Sequence, residues 1–261
     1  MVIKRKPTYI FFIMAYFLYD NKRVHYSVKG KGNPILMIHG NTASSRMFLT
    51  VIKNYFRNYK VILIDLPGQG KSESLPKFKT DFWHYNALAC INLLKKLNYG
   101  KVNIVGTSGG ALIAINIALE APELVNKIVA DSFEGEFPLK SYTENLAEDR
   151  EKDKRKILAK LFWYHMHGSA WRKVVDADTK ANINFYKTGK SFFHKPISEL
   201  KVPTLVTGSR KDEYCSHLDD IYSTLSSKSK NIKVHLFENG NHPAMISNKK
   251  EFFNLVQSFL K

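Results

Sequence analysis

Cysteines, acidic residues and long apolar runs are all scarce in this 261-residue chain. The two cysteines, Cys90 and Cys215, are too few for a disulfide framework and lack the spacing of metal ligands. We therefore predict two buried apolar side chains in a reducing, cytoplasmic compartment. The longest apolar run, at residues 9–19, is too short to cross a bilayer, so no stable membrane insertion is expected.

The shortage of acidic residues leaves 23 Asp and Glu against 40 Lys and Arg, a formal net charge of +17. Such a balance can reflect attraction to nucleic acid, anionic lipid or acidic substrates. However, the basic residues are spread along the chain, and the densest run, residues 150–156, mixes both signs as a solvated helix face does. No nucleic-acid motif accompanies them. We predict no nucleic-acid partner and only a weak attraction to anionic substrates or surfaces.

The N-terminus combines basic residues 4–6 with the apolar run at residues 9–19, in the order of a secretory signal. No small-residue cleavage site follows, and a strand-turn-strand pattern over residues 16–28 begins inside the apolar run. We therefore predict an N-terminal β-hairpin, a native start at Met14 and an upstream extension at residues 1–13. The predicted location is the cytoplasm, and the alternative is that this segment directs export of the protein.

Further along the chain, short β-branched runs alternate with longer helical patterns. The predicted strands are residues 35–38, 61–64, 102–105, 127–130, 204–207 and 234–237, and the clearest helices are 81–97, 110–121 and 249–260. Continuous apolar strands of this kind are typical of a parallel sheet that is buried on both faces. The alternation predicts an α/β fold, with a doubly wound, mostly parallel sheet behind the antiparallel hairpin.

The stretch from residue 133 to 199 breaks this alternation, because it is helical, charged and aromatic and has no convincing strand. We predict that it forms a helical cap inserted into a single core domain made of residues 1–132 and 200–261. Ligands of open α/β sheets bind outside the carboxyl ends of the strands. The cap is therefore expected to cover that edge of the sheet.

A G-x-S-x-G pentapeptide at residues 106–110 connects a predicted strand to a predicted helix. A strand that turns sharply into a helix lifts the central hydroxyl out of the turn, and the flanking glycines let neighbouring backbone pass where a Cβ would clash. Ser108 is therefore the predicted nucleophile.

A serine hydroxyl needs a base, and the base needs an acid to hold it. His242 follows the last predicted strand directly, which places it on the same sheet edge as Ser108. Asp212 follows the neighbouring strand and is the predicted acid, with Asp131 and Glu213 as rivals. His165 and His167 lie in the insertion, where two histidines at positions i and i+2 of a helix cannot face one metal ion.

The loop after the first predicted parallel strand carries a second element of this chemistry. Its turn can aim the backbone N–H of Asn41, or of Thr42, at the substrate oxygen that becomes negative when the serine attacks, together with the N–H of Gly109. His39 is predicted to orient this loop rather than to act as the base. Residues 65–72 imitate a phosphate-binding loop, but the glycine spacing is wrong, so a tight glycine turn is expected.

The order Ser108, Asp212, His242, each after a strand, resembles the α/β-hydrolase family, and the resemblance covers nearly the whole chain. It implies an oxyanion loop at residues 39–40, a nucleophile elbow at 106–110 and a helical cap. The elbow departs from the commonest variant by having Thr107 before the serine and Gly109 after it, which leaves the mechanism intact. No metal ion or cofactor is expected.

The partner expected from these residues is a small-molecule substrate, which we predict to contact Phe133, Trp163 and Trp171; cap aromatics can equally form the cap's own core. Hydrolysis of a small or medium carboxylic ester through an acyl-enzyme is the first expectation. The alternatives are hydrolysis of a carbon–carbon bond in a diketone-like substrate, lysophospholipase or thioesterase activity, and a ligand-binding receptor on the same fold. The sequence predicts no oligomeric state.

Overall fold

The computed structural model describes residues 13–261, without the side chain of Ile13. Its eight strands form one sheet in the order β1-β2-β4-β3-β5-β6-β7-β8. The strand bounds are β1 Ile13–Tyr19, β2 Lys22–Lys29, β3 Asn33–Ile38, β4 Tyr59–Ile64, β5 Val102–Thr107, β6 Val125–Asp131, β7 Thr204–Ser209 and β8 Ile232–Phe237. Strands β3 to β8 pair in parallel, whereas β1 with β2 and β2 with β4 pair antiparallel. The predicted fold class is confirmed.

Helices cover both faces of this sheet. Their bounds are α1 Phe82–Leu97, α2 Gly109–Glu120, α3 Lys140–Thr143, α4 Leu146–Asp153, α5 Ile157–His167, α6 Trp171–Tyr186, α7 Leu218–Lys228, α8 Ala244–Ser247 and α9 Lys249–Leu260. Along β3, Leu36 and Ile38 face the core under α1, α2 and α7, while Ile35 and Met37 face the core under α8 and α9. Because both faces are buried here, residues 35–38 of β3 are apolar at every position rather than at alternate ones.

The N-terminal hairpin turns through Asp20 and Asn21, whose φ angles of 50° and 57° are those of a two-residue turn that matches strand twist. The hairpin prediction is confirmed, with a longer first strand: Ile13 already pairs with Val28. The predicted extension at residues 1–13 otherwise lies outside the described residues. Among the described helices, none combines the length and the apolar character that crossing a bilayer requires.

The burial of β8 and of the two cysteines tests two expectations drawn from the sequence. The expectation that every predicted strand is buried on both faces is wrong for β8, where Lys233, Val234 and His235 are exposed. The reason is position, because β8 pairs only with β7 and ends the sheet. Both cysteines are buried, as predicted.

The side chain of Asp65 occupies the inside of the glycine turn at residues 65–72. The carboxylate of Asp65 accepts hydrogen bonds from the amides of Ser45 (2.8 Å) and Lys71 (2.9 Å). A Cβ on Gly70 would lie 2.4 Å from that carboxyl group. The turn therefore cradles an internal carboxylate, and the predicted tight turn is confirmed.

The chain between β6 and β7 contains α3 to α6 and adds no strand to the sheet. Its last part also packs into the main core. Phe185 and Phe192 stack on each other with ring centroids 5.2 Å apart, and both contact the ring of Trp83 on α1. The predicted limits of the cap remain a prediction.

Candidate active site

The nucleophile candidate sits at a strained corner of the backbone. Ser108 joins β5 to α2 with φ 55° and ψ −130°, a conformation that non-glycine residues rarely adopt. Its amide donates a hydrogen bond to the carbonyl of Asp131 (2.7 Å), which ties the corner to β6. The sharp strand-to-helix turn expected from the sequence is therefore present, and it presents the hydroxyl to the cavity above the sheet.

Steric constraints explain why the pentapeptide has glycine at positions 106 and 110. A Cβ on Gly106 would lie 2.1 Å from the carbonyl oxygen of Gly110, and a Cβ on Gly110 would lie 2.2 Å from the carbonyl oxygen of Ile38. Both distances are far below van der Waals contact with backbone atoms that cannot move away. Helix α2 can begin directly behind Ser108 only because these side chains are missing.

The predicted base and acid meet at the carboxyl ends of β7 and β8, which are parallel neighbours. His242 Nδ1 donates to Asp212 Oδ2 at 2.8 Å. The other oxygen, Asp212 Oδ1, accepts the amides of Tyr214 and Cys215 at 2.9 Å each, so the carboxylate is held from both sides. Glu213, the third candidate acid, instead accepts the backbone N–H of His242 at 2.8 Å.

Asp131, the closest rival of Asp212, has a different environment. It is fully buried at the end of β6 and accepts hydrogen bonds from Thr107 Oγ1 (3.0 Å), Thr207 Oγ1 (2.8 Å) and the amide of Met245 (3.0 Å). Burial raises its pKa to about 6, against the effect of these hydrogen bonds. Its hydrogen bonds join β5, β6, β7 and α8 rather than reaching His242, so its geometry is that of a structural group.

The predicted oxyanion donors lie together beside the serine. Asn41, Thr42 and Gly109 all line the same cavity as Ser108. A Cβ on Gly109 would lie 2.0 Å from Asn41 Oδ1, so the glycine allows the two chain segments to approach. No loop or side-chain hydrogen bond in the described part of the chain uses the amide of Asn41 or of Gly109. Gly109 is also the first residue of α2, where backbone N–H groups lack helical acceptors.

His39 orients the loop that carries these donors. Its Nε2 accepts the amide of Leu66 (3.1 Å), so its Nδ1–H donates to the carbonyl of Gly40 (2.9 Å). Complete burial lowers its pKa to about 4 and keeps it neutral. Both ring nitrogens are occupied, which agrees with an orienting role and not with that of the base.

The two cap histidines also have separate positions. His167 is buried and bridges the cap to the core, because its Nδ1 accepts the amide of Gly70 (3.0 Å) and its Nε2–H donates to the carbonyl of Thr42 (2.9 Å). His165 is exposed on the cavity rim. The two side chains point apart, as their i and i+2 spacing on α5 requires.

Ser108 and His242 face one cavity of about 590 Å³ between the sheet edge and the cap. Its wall is mainly apolar and includes Phe133 and Trp163, two of the three predicted substrate contacts. The third, Trp171, lies behind the wall, where its ring stacks on Trp163 with centroids 5.6 Å apart. Trp171 therefore supports a wall residue instead of lining the cavity.

The prediction that residues 150–156 form a solvated face is wrong for Arg150, whose side chain lines the cavity, and for Lys154, whose side chain is only 10% exposed. The sequence contains one signal for this. Arg150 follows Leu146 by four residues, and Leu146 is buried, so both lie on the inward face of α4. The spacing of Leu146 and Arg150 is hard to recognise in the sequence, because acidic and basic residues are mixed on both sides of Arg150.

The Arg150 guanidinium makes few and weak contacts. Its Nη1 donates to Thr42 Oγ1 at 3.3 Å and its Nη2 to Tyr142 Oη at 3.4 Å. The buried carboxylate of Asp178 on α6 lies 3.8 Å away, too far for a direct hydrogen bond. Among the described residues, Arg150 Nε has no hydrogen-bond partner. A cation with spare donors thus faces the cavity that contains Ser108.

Two carboxyl groups of this region, Asp178 and Glu134, have altered acidity. Burial raises the pKa of Asp178 to about 6 despite the nearby Arg150. Burial likewise raises the pKa of Glu134, which lines the cavity, to about 7, although it accepts the amide of Leu139 at 2.6 Å. Burial therefore disfavours negative charge at both positions.

Two clusters among the described residues bring three potential metal ligands within 4.8 Å of each other. In the first, Asp212 and His242 with Cys215, the two facing oxygen and nitrogen atoms already share a hydrogen bond. In the second, His84 and His194 with Asp81, the imidazole rings stack with an interplanar angle of 4°. Lone pairs in parallel stacked rings do not converge on one ion, so neither arrangement is a formed metal site.

Comparison with known proteins supports the resemblance to the α/β-hydrolase family. A family model described as the alpha/beta hydrolase fold matches residues 33–163. A 2-hydroxy-6-oxononadienedioate/2-hydroxy-6-oxononatrienedioate hydrolase of Burkholderia vietnamiensis is 28% identical over 92% of this chain and 91% of its own. An (E)-2-((N-methylformamido)methylene)succinate hydrolase of Acinetobacter baylyi is 34% identical, over 42% of this chain and 41% of its own.

The structural comparison agrees at the level of the fold. A crystal structure of a hydrolase from Pseudomonas aeruginosa PA01 superposes with a TM-score of 0.75 at 15% identity, covering 95% of this chain and 98% of that one. The family match spans half of the sequence, from β3 to the cap helix α5, and includes the nucleophile elbow. The chain belongs to the alpha/beta hydrolase fold family.

Proposed function

We propose that this chain is a serine-dependent hydrolase that cleaves a carbon–carbon bond next to a carbonyl group in a diketone-like acid. The observation that carries the proposal is the position of Ser108 on a strained elbow, facing the same cavity as His242, whose ring is held by Asp212. This combination of activated hydroxyl, base and orienting acid is what nucleophilic catalysis by serine requires.

In the first half-reaction, His242 takes the proton of Ser108 Oγ through Nε2. The hydrogen bond from Nδ1 to Asp212 favours this tautomer and stabilises the imidazolium that forms. Ser108 Oγ attacks the substrate carbonyl carbon. The oxygen that becomes negative accepts hydrogen bonds from the amides of Asn41 and Gly109, each worth a few kcal/mol in the transition state.

Collapse of this intermediate breaks the bond to the leaving group, which takes the proton from His242, and leaves an acyl-enzyme on Ser108. Water activated by His242 then releases the acid. When the leaving atom is carbon, its electron pair must be delocalised, so the substrate needs a second carbonyl group conjugated to the breaking bond. This requirement selects diketone-like compounds.

The cavity supports an acidic substrate of this class. Its apolar wall accommodates a carbon skeleton, and the weakly bonded Nη atoms of Arg150 can donate to a carboxylate, whose geometry a guanidinium matches. The Burkholderia relative is named for substrates that are dioates with an oxo group. The names of the relatives therefore favour this alternative over the ester hydrolysis that was the first expectation.

Hydrolysis of a small or medium carboxylic ester is the second candidate, because the same triad and oxyanion donors serve it without change. The apolar character of the wall around Phe133 and Trp163 favours it. Ester cleavage needs no second carbonyl group and no carboxylate. The two candidates therefore differ in what the substrate must contain, and a substrate panel separates them.

The test begins with a serine-reactive phosphonate probe and mapping of the adduct. We expect one adduct on Ser108, absent from Ser108→Ala and retained in Ser132→Ala, since Ser132 is a second serine of the same cavity. Ser108→Ala should lower turnover at least about 1,000-fold. Labelling of another residue, or turnover that survives Ser108→Ala, would contradict the proposal, and the absence of any labelling would favour a ligand-binding receptor.

The second step compares a series of 2-hydroxy-6-oxo-dienoic acids, whose keto tautomers contain the required second carbonyl group, with p-nitrophenyl esters of increasing chain length. Carbon–carbon hydrolysis predicts faster turnover of the acids, measured as loss of their dienol absorbance. Turnover of the esters alone would replace the first candidate by the second.

A further inference from the structure

Helix α5 of the cap presents an apolar face to solvent. Ile157, Leu158 and Leu161 are 66%, 77% and 58% exposed, and Phe162 and Tyr164 are also exposed. The inward face contains the buried Trp163 and Met166 among others. A surface helix normally has the opposite arrangement, with polar residues outward. An exposed apolar patch of this kind marks an interaction surface.

The patch continues onto the core and reaches the cavity mouth. Leu49, on the 3₁₀ helix Ser45–Thr50, is exposed and lines the cavity together with Phe162. Two hydrogen bonds hold this segment against the end of α5: the Arg46 guanidinium donates to the carbonyl of His165, and Ser44 Oγ donates to the carbonyl of Met166. We call the exposed apolar side chains of α5 together with Leu49 the cap face.

The segments that carry the cap face have positive charge only. No Asp or Glu occurs in residues 154–175 or in residues 21–64. The first segment contains six basic residues: Lys154, Arg155, Lys156, Lys160, Arg172 and Lys173. Lys154 and Lys156 are paired with acids of neighbouring segments, whereas Arg155 and Lys160 enter no ion pair within the described part of the chain.

A convex helix with apolar side chains at its centre and basic residues around it fits a surface that offers apolar depth and negative charge. Amphipathic helices lie in the headgroup region of anionic lipid in this way, without spanning the bilayer. A second copy of the chain fits less well, because it would bring another net charge of +17 against the first.

We propose that the cap face docks on an anionic lipid surface, with the mouth of the cavity turned towards the lipid. Docking would bring amphipathic substrates to the cavity from the lipid phase. The proposal does not depend on which bond Ser108 attacks.

The test measures flotation of the full 261-residue chain with phosphatidylcholine vesicles, with and without phosphatidylglycerol. The wild type should bind the anionic vesicles only, and less tightly at high salt. The double variant Leu158→Asp/Leu161→Asp should reduce binding about tenfold or more, because it places charge in the apolar centre of the face. Neither residue lines the cavity, so thermal unfolding and probe labelling should remain as in the wild type.

The matched control is Leu88→Asp, which changes an exposed leucine of α1 and should leave vesicle binding unchanged. The N-terminal residues 1–12 are present in every variant, so binding that persists in the double variant would come from another surface and overturn the proposal. Failure of the wild type to float with anionic vesicles would overturn it too. A dimer in size-exclusion chromatography that only the double variant dissociates would assign the face to a second copy instead.

Discussion

Two buried aspartates lie near His242, and their hydrogen bonds distinguish them. Asp212 receives two backbone amides on one oxygen and the histidine on the other, so its charge is directed at the ring. Asp131 accepts hydrogen bonds from residues of β5 and β7 and from helix α8. Burial raises its pKa to about 6. At the residue scale, the first carboxylate is arranged to stabilise an imidazolium and the second to hold the sheet edge together.

We predict that Asp212→Asn lowers kcat/KM by about 1,000-fold to 10,000-fold with little change in thermal stability. The amide of asparagine can donate to Nδ1 and would then place the proton on Nε2, where it blocks abstraction from Ser108. Steady-state kinetics at pH 7, with a thermal melt on the same sample, measures both quantities.

Asp131→Asn is the control for this prediction, because it removes the rival carboxylate. The folded variant should keep most of the wild-type activity. Its free energy of unfolding should fall by about 2–3 kcal/mol, since an amide cannot accept all the hydrogen bonds that the carboxylate accepts. An activity loss equal to that of Asp212→Asn would contradict the assignment.

The stability cost of Asp131→Asn should also depend on pH. The folded wild type binds the Asp131 proton more tightly than the unfolded chain does, so this carboxyl reduces stability as pH rises from about 4 to about 6. Asparagine lacks this effect. The deficit of the variant should therefore be largest near the lower end of that range.

At the scale of elements, the cap depends on the contact between α4 and α6, where Arg150 faces the buried Asp178. The pair is surrounded by Thr42 and Tyr142, so it also joins the cap to the oxyanion loop. A group in this position can hold the cap, bind substrate, or do both. The long contacts of its two Nη atoms are the basis of our proposal that Arg150 does both.

We predict that Arg150→Gln destabilises the protein by about 3 kcal/mol, because Asp178 is left buried without its counter-charge. The same variant should raise KM about tenfold for a carboxylate substrate and leave KM for a neutral ester nearly unchanged. Adding Asp178→Asn should restore stability but not KM. Recovery of both in the double variant would show that Arg150 acts on structure alone.

At the scale of the whole molecule, the net charge of +17 surrounds a cavity that is largely apolar. The field of such a protein attracts anions towards it, and salt weakens that attraction beyond the Debye length. The candidate triad of Ser108, Asp212 and His242 is less sensitive to salt, because Asp212 and His242 are in direct contact and largely buried. Salt should therefore act on substrate encounter and not on the chemical step.

We predict that kcat/KM for a carboxylate substrate falls several-fold between about 0.05 M and about 0.5 M NaCl, whereas kcat changes little. A neutral p-nitrophenyl ester serves as the control and should show no such fall. An equal salt response for both substrates would mean that salt acts on the protein itself rather than on attraction of the anion.

Local sterics explain why much of this protein is visible in its sequence. The elbow around Ser108 follows from the spacing of Gly106 and Gly110, since only glycine fits at those backbone crossings. The parallel sheet follows from continuous apolar runs, and the candidate nucleophile and base are marked by their positions just after β5 and β8. These features depend on neighbouring residues, so they are determined within short stretches of chain.

Other features depend on which elements pack against each other, and only the tertiary structure decides them. Asp131 and Asp212 both follow strands, and their difference appears once β8 is placed beside β7 and not beside β6. Arg150 belongs to a run that is charged in sequence, yet the packing of α4 on α6 turns it into the cavity. The sequence by itself determined the fold and the position of the candidate nucleophile, because both rest on local geometry. Only the tertiary structure distinguished Asp212, which is bonded to His242, from Asp131 and placed Arg150 at the cavity, because burial and pairing arise between distant parts of the chain.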